Sequence, residues 1–392
     1  MSLPRRVLYV SGTRADFGLM RRTLGAISAD PRLELGVAVT GMHLLATYGN
    51  TVAEIEAAGL PVVARIPVLL DGSGGGAMAR ALAVQLDGLV AACQLWQPEV
   101  LLLLGDRGEM LAGALAAVHL GIPVAHIHGG ERSGTVDESL RHAISKLAHL
   151  HLVATEASRE RLIRMGERPE QIWVVGAPGL DGLREAVPSS AAARASLCAR
   201  HGLEPGRPLL LVLFHPVLQE VTGASAQAQA LLDGVRLLAV GQPAEQAPQL
   251  LVLAPNSDAG GAAIAAVWQQ QLPAMELEHR LVTHLPREQY LEALAGVDVL
   301  VGNSSSGIIE AASVDLPVLD LGSRQQARER SANVLHAPLE AGAIAKALVQ
   351  ALVRGHQPTV NVYGDGGSAG RIVELLATTP LPPSMLAKLN SY

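Results

Sequence analysis

The chain has 392 residues, 49% of them apolar but only 3% aromatic, with a net charge of −6. That length exceeds one ordinary core, so two domains are expected. The negative balance argues against a nucleic-acid or anionic-membrane surface. Two cysteines, Cys93 and Cys198, fit a reducing compartment and offer no disulfide framework. Ahead of Ser11 stands only the apolar run VLYV, too short for a signal peptide. The longer runs at 100–104 and 209–214 are strand-sized, far below the roughly 20 residues of a membrane span. The expectation is a cytoplasmic, enzyme-sized globular protein.

Along the chain, short Val/Leu-rich runs alternate with Ala-rich helical stretches, the pattern of parallel βαβ units. Strands are expected at 6–10, 35–40, 62–68, 99–104, 122–127, 151–154 and 172–176. Helices are expected at 18–29, 51–58, 77–95, 108–119, 137–148 and 157–165. Residues 184–208 interrupt this rhythm with Pro188, Ser189-Ser190, Pro205 and Pro208, which points to a domain boundary. Strands resume near 209–214, 250–254, 281–283, 298–301 and 317–320. The fold class read from this is α/β, with two doubly wound Rossmann-like domains. DGSGGG at 71–76 lacks the Lys and Ser/Thr of a P-loop and is a weak phosphate motif.

Ligands of such sheets bind beyond the carboxyl ends of strands, where helix N-termini offer unpaired N–H groups. Four clusters fall there. In SGTRADFG (11–18) Arg14 can fork onto a phosphate and Asp16 can cap a helix. In GDRGE (105–109) Asp106 and Arg107 follow an apolar run, which suits the carboxylate for proton transfer as well as for a structural pair. In VAHIHGGERSGTVDESLRHAISKLAH (124–149), alternation along a strand would put His126 and His128 on one face. A metal would then need a third ligand from Glu131, Asp137 or His142, yet no HExxH motif or cysteine cluster accompanies the pair. Gly129-Gly130 suggests close backbone approach to a ligand. Asp137, Glu138 and Arg141 open the next helix. In GNSSSGIIEAA (302–312), serine hydroxyls and a helix over 306–313 make an anion cradle, with Glu310 placed to take two ribose hydroxyls. His215 ends a strand in LVLFHPV.

Taken together, GTRADFG, GDRGEM, HIHGGERSGTVDESLRHAISKLAH, LFHPV, PNSDAGG, GNSSSGIIEAA, LGSRQQARE and YGDG resemble, in order over residues 7–370, the hydrolysing UDP-N-acetylglucosamine 2-epimerases of sialic-acid biosynthesis. The resemblance implies a glycosyltransferase-B-type architecture. It also implies domains at 1–185 (sugar side, catalytic groups) and 186–365 (UDP binding), with 366–392 as a segment whose helix packs back on the first. Arg14, Arg107, His215, Asn256, Ser304, Ser305, Glu310 and Arg324 match positions that hold UDP. Asp106, His126, Asp137 and Glu138 match titratable positions around the sugar, and His43 matches another. Where the animal enzymes read H-I-E-G-G-E, this chain has His128, with Glu131 retained. The second acid/base is therefore either His128 or Glu131, beside Asp106, Asp137 and Glu138.

The implied reaction converts UDP-N-acetylglucosamine to N-acetylmannosamine and UDP, by elimination of UDP and rehydration of a glycal. Proton traffic, not metal binding, then explains the titratable clusters, and neither metal nor cofactor is expected. The His128 exchange also opens an alternative: the same reaction on a UDP- or GDP-linked 2,4-diacetamido sugar of the legionaminic acid route. A glycosyltransferase of the same architecture is the further rival. The expected partner is a nucleotide-sugar substrate, without nucleic acid or membrane, in a homo-oligomer (dimer or tetramer).

Overall fold

Strands that read as unbroken Val/Leu runs are buried on both faces, which a parallel sheet between two helical layers provides. The structure, a computed structural model, describes residues 3–46, 49–68, 75–132, 137–255 and 260–391. Two compact units emerge. One holds the described residues up to Glu131, from Asp137 to Asp181 and from Tyr363 onward; the other holds Gly182–Val362.

The first unit runs β1 (Arg5–Ser11), α1 (Arg14–Ala29), β2 (Leu33–Thr40), α2 (Val52–Ala57), β3 (Val62–Ile66), α3 (Gly75–Trp96), β4 (Val100–Leu104), α4 (Gly108–His119) and β5 (Val124–Ile127). It continues with α5 (Asp137–Leu147), β6 (Leu150–Val153), α6 (Glu156–Arg164) and β7 (Ile172–Val174). Its strands are parallel in the order β3-β2-β1-β4-β5-β6-β7. Strand order reverses between β1 and β4, the position at which open α/β sheets bind their ligands. Alternation along β1 sends Val7 and Tyr9 towards Phe17, Met20 and Leu24 of α1, and Leu8 and Val10 towards Met110 and Ala114 of α4. With so few aromatic residues, alanines at 112, 114, 116 and 117 fill the α4 face of this core.

The second unit runs α7 (Leu183–Ala186), α8 (Ser190–His201), β8 (Leu209–Leu213), α9 (Ala224–Ala239), β9 (Gln249–Leu253), α10 (Gly261–Gln271), β10 (His279–Val282) and α11 (Arg287–Gly296). β11 (Val299–Gly302), α12 (Ser305–Ile309), β12 (Val318–Leu321), β13 (Val334–Ala337) and α13 (Ala341–Arg354) complete it. Its parallel order, β10-β9-β8-β11-β12-β13, reverses between β8 and β11. Gly302 is required at that reversal. At φ 142° its backbone lies so close to β8 that an added Cβ would sit 1.9 Å from the Leu213 carbonyl oxygen. The chain then returns to the first unit, where α14 (Ser368–Thr378) packs Ile372 and Leu376 into the core shared with α1.

Two sequence readings change here. The interrupted stretch 184–208 contains α8, capped by the Ser189 hydroxyl and closed by Gly202 in the left-handed region. Pro and Ser flank this helix rather than prevent it. Among the described residues, Gly76–Trp96 is long and apolar enough to cross a membrane. This helix lies along α4, with Leu89 and Cys93 in the core.

Candidate active site

At the end of β1, Thr13 and Asp16 form a reciprocal capping box: Thr13 Oγ1 accepts from Asp16 N at 3.2 Å, and the Asp16 carboxylate accepts from Thr13 N at 2.6 Å. The carboxylate also accepts from Gly12 N at 3.0 Å, Thr13 Oγ1 at 3.0 Å, Tyr9 Oη at 3.3 Å and the Ser11 hydroxyl. Ser11 Oγ lies 2.9 Å from His43 Nε2, and His43 Nδ1 lies 2.8 Å from Thr51 Oγ1. Burial holds His43 below its usual pKa, so it is a neutral hydrogen-bonding link rather than a cation. Arg14 forms a half-exposed pair with Glu54 at 2.8 Å, the kind of contact that adds little stability.

Burial raises the Asp16 pKa from 3.8 to about 6, against the lowering effect of the Ser11 and Thr13 hydrogen bonds. The folded chain therefore keeps a proton that the unfolded chain releases. The associated stability is complete below pH 3.8 and is lost as the pH rises through 6. A shift of this size corresponds to about 3 kcal/mol. The stability of wild type relative to Asp16→Asn, measured by urea melts, should thus fall by about 2–3 kcal/mol between pH 4 and 7. A flat difference would rule out this titration.

Across the β1/β4 reversal, Glu109 fills the space a Gly12 side chain would take, since a Cβ there would meet its Oε1 at 2.2 Å. Arg107 Nε donates to the same oxygen at 3.1 Å. Asp106 follows Gly105, whose φ of 81° turns the chain out of β4. Its carboxylate forms an ion pair with Arg141 of α5, whose side chain is only 3% exposed and also donates to the Glu131 carbonyl at 3.1 Å. In the sequence Arg141 suggested only an i,i+4 pair at the start of its own helix. Only folding supplies Asp106, 35 positions away.

The two histidines part company. His126 lies inside β5, fully buried, with Nε2 2.7 Å from the Gly105 carbonyl and Nδ1 3.2 Å from Ser145 Oγ. A carbonyl can only accept, so Nε2 carries the hydrogen and the Ser145 hydroxyl donates to Nδ1. Burial lowers its pKa to about 3. β5 has ended by His128, which sits in the left-handed region at φ 62°, a conformation costing an L-residue about 1–2 kcal/mol. The expectation that both histidines share one strand face is therefore wrong. His128 instead pairs through Nδ1 with Glu131, whose side chain is 3% exposed against 12% for His128. The glycines between them answer to packing: a Cβ on Gly130 would lie 2.4 Å from the Ser158 carbonyl, and one on Gly129 would lie 2.9 Å from Ser145 Oγ. At the start of α5, Asp137 is exposed and Glu138 faces His142 at 3.5 Å.

The second unit repeats the arrangement at its own strand reversal. His215, beyond β8, is joined to Asn303, beyond β11: His215 N donates to Asn303 Oδ1, and Asn303 Nδ2 donates to His215 O, both at 2.8 Å. Burial lowers the His215 pKa to about 4, with Arg324 adding to the effect. The Asn303 carbonyl accepts from Arg324 Nη1 at 2.9 Å and Gln325 Nε2 at 3.0 Å. Ser304 caps α12 and Ser305 opens it. The helix is shorter than expected, ending at Ile309 before a 3-10 turn over Ala311–Val314. Glu310 follows it, buried, accepting from Ser306 Oγ at 2.6 Å and paired with Arg287 of α11. Tyr290 Oη lies 2.5 Å from Ser306 Oγ. Asn256 lies outside the described residues. Asn303 was visible in its motif, whereas Arg287 and Tyr290 carried no sequence signal.

Two doubly wound sheets with polar clusters at their reversals define a glycosyltransferase-B-type protein. The solved UDP-GlcNAc 2-epimerase of Neisseria meningitidis, bound to UDP-GlcNAc, matches this fold with a TM-score of 0.78 at 17% identity, covering 95% of this chain and 99% of that one. Residues 25–377 match the family described as UDP-N-acetylglucosamine 2-epimerase. A Legionella pneumophila protein named UDP-N,N'-diacetylbacillosamine 2-epimerase (hydrolyzing) is 47% identical over 388 residues, 99% of this chain and 100% of the relative. The UDP-N-acetylglucosamine 2-epimerase of N. meningitidis serogroup B is 32% identical over 362 residues, 92% of this chain and 91% of the relative. The chain belongs to the UDP-N-acetylglucosamine 2-epimerase family, among its hydrolysing members.

Proposed function

We propose that the chain converts a UDP-linked 2,4-diacetamido sugar of the diacetylbacillosamine type into UDP and the free, manno-configured sugar. The observation that carries this reading is the 47% identity, over nearly the whole of both chains, to the Legionella enzyme of that name. His128, standing where animal sialic-acid enzymes carry Glu, supports a sugar site that departs from theirs. UDP-N-acetylglucosamine, the substrate first expected, becomes the second reading, favoured by the more distant Neisseria relative.

In the proposed reaction a base takes the C2 proton, the C1–O bond breaks and UDP leaves with the bonding electrons, giving a glycal. Water then supplies a hydroxyl to C1, and a proton reaches C2 from the opposite face. Two proton-transfer groups on different sides of the ring are needed. We assign one role to Asp106, oriented by Arg141. The other goes to His128, with Glu131 behind it: the contact through Nδ1 fixes the ring and directs proton transfer to Nε2. Asp137 and Glu138, at the start of α5, complete the acidic surroundings. His43 and His126 are assigned supporting roles, His126 by holding the Gly105 carbonyl next to Asp106. Arg14, Arg107, His215, Asn256, Ser304, Ser305, Glu310 and Arg324 are assigned to UDP, the cationic groups meeting the departing diphosphate.

The test is turnover in D₂O, followed by NMR, with UDP-N,N'-diacetylbacillosamine and UDP-N-acetylglucosamine side by side. The expected product is a free manno sugar carrying deuterium at C2, with kcat/KM at least about tenfold higher for the diacetamido substrate, or about 1.4 kcal/mol of discrimination. Preference for UDP-N-acetylglucosamine would install the second reading. A gluco product with its original hydrogen would mean plain hydrolysis.

A further inference from the structure

The last carbonyls of any helix lack partners within it. In α5 they are met by a residue from the far end of the chain. Lys388 Nζ donates to the carbonyls of Ser145 (2.9 Å), Lys146 (2.9 Å) and Ala148 (2.6 Å). The same ammonium lies 2.6 Å from Glu167 Oε2. Glu167 is 1% exposed and also takes Lys146 Nζ at 2.6 Å and His151 Nε2 at 2.9 Å. Burial alone would raise the Glu167 pKa, but hydrogen bonds from His151, Lys146 and Lys388 outweigh it and hold it at about 2. The tail is also fastened just beyond this ammonium. Lys146 Nζ donates to Asn390 Oδ1 at 2.8 Å, and Ser391 N donates to the Gly166 carbonyl at 3.0 Å.

A cation at a helix C-terminus is favourable for any helix, but α5 is the helix that carries Arg141. Ser145 follows Arg141 by about one turn, roughly 6 Å along the axis. Its carbonyl meets Lys388, while its hydroxyl contacts His126, which in turn holds the Gly105 carbonyl beside Asp106. The C-terminal turn of α5 is thus tied to the Asp106 turn by two routes, through Arg141 and through His126. We propose that the C-terminal segment, through Lys388 and Glu167, is a positioning element for the reaction, holding α5 in the register that keeps Arg141 on Asp106 and on the Glu131 carbonyl. This rests on the reading of Asp106 as a proton-transfer group.

Lys388→Met removes the donor and keeps most of the side-chain volume. Its kcat should fall about tenfold, with KM and the Kd for UDP within about twofold of wild type. Hydrogen exchange should speed up in 137–147 ahead of the rest of the chain. Lys388→Arg, which keeps a charged donor, should recover at least half of the lost kcat. A kcat within twofold of wild type in Lys388→Met would overturn the proposal. So would equal losses in the Met and Arg variants, or a parallel loss of UDP affinity, since each would mean general support of the fold. If Lys388→Met does not fold, Glu167→Gln weakens the same cluster while leaving the carbonyl contacts in place. It should lower kcat about threefold and loosen α5, and no change in either would overturn the proposal. Should the wild type release UDP from no nucleotide sugar, the proposed function fails by itself. Exchange in α5 then still decides the coupling, and unchanged protection in Lys388→Met rejects it.

Discussion

Replacing Asp106 by Asn should cut kcat by about 10²-fold or more while leaving the Kd for UDP within about twofold. The amide keeps the size of the side chain, and its oxygen can still accept from Arg141, but it cannot take a proton from C2. The Arg141 side chain is 3% exposed, so a substitution that stranded its charge would cost several kcal/mol of stability and confuse the result. Asn keeps the hydrogen-bond acceptor but not the counter-charge, so part of that cost remains, whereas Ala loses both. Urea melts alongside the kinetics separate the two effects. A kcat within threefold of wild type would remove Asp106 from the chemistry and leave it as a structural partner of Arg141.

Glu310→Ala should weaken UDP binding about 10- to 100-fold, which corresponds to the loss of about 1.5–3 kcal/mol for hydrogen bonds made to a charged acceptor. In the structure Glu310 is already engaged by Ser306 and Arg287. Ribose hydroxyls must therefore share or replace the Arg287 contact, which places the expected loss nearer the lower figure. The Arg287 side chain is 42% exposed, so it can be solvated when its partner is removed and the fold should survive. Calorimetry with UDP checks this, and the kcat of the fully bound variant should stay within about threefold. An unchanged Kd would exclude Glu310 from the nucleotide site.

The strands are where sequence and structure agree most closely. A run such as LLLL at 101–104 has no polar face to show, so it belongs to a parallel sheet covered on both sides, and the alternation with helices then leaves few topologies. β13 carried too weak a signal, being four residues long with His336 among them. α8 was masked by its neighbours, because proline and serine that cap a helix look from sequence like residues that break a chain.

In the candidate site the division is sharper. Residue types at strand ends were legible because the chemistry of nucleotide-sugar cleavage needs acids, bases and anion donors where helices begin. Alternation along a strand was the wrong guide to His126 and His128, since it holds only while the strand lasts. β5 stops at Ile127, and His128 lies in the left-handed region, where strand alternation no longer applies. Gly129 and Gly130 suggested close backbone approach to a ligand, and the space a side chain would take at each is filled by Ser145 and by the backbone of α6.

The sequence by itself determined the fold class, the family and the presence of Asp106, His128 and Glu131 between strand and helix, with Glu310 in the motif after β11, because these follow from hydrophobic period and from motifs contiguous in the chain. Only the tertiary structure decided the distant partners: Arg141 for Asp106, Arg287 for Glu310 and Lys388 for the end of α5. The physical reason is that a buried charge or an orphan carbonyl must be satisfied by whatever the fold brings within about 3 Å. No local spacing records which residue, up to 243 positions away, that will be.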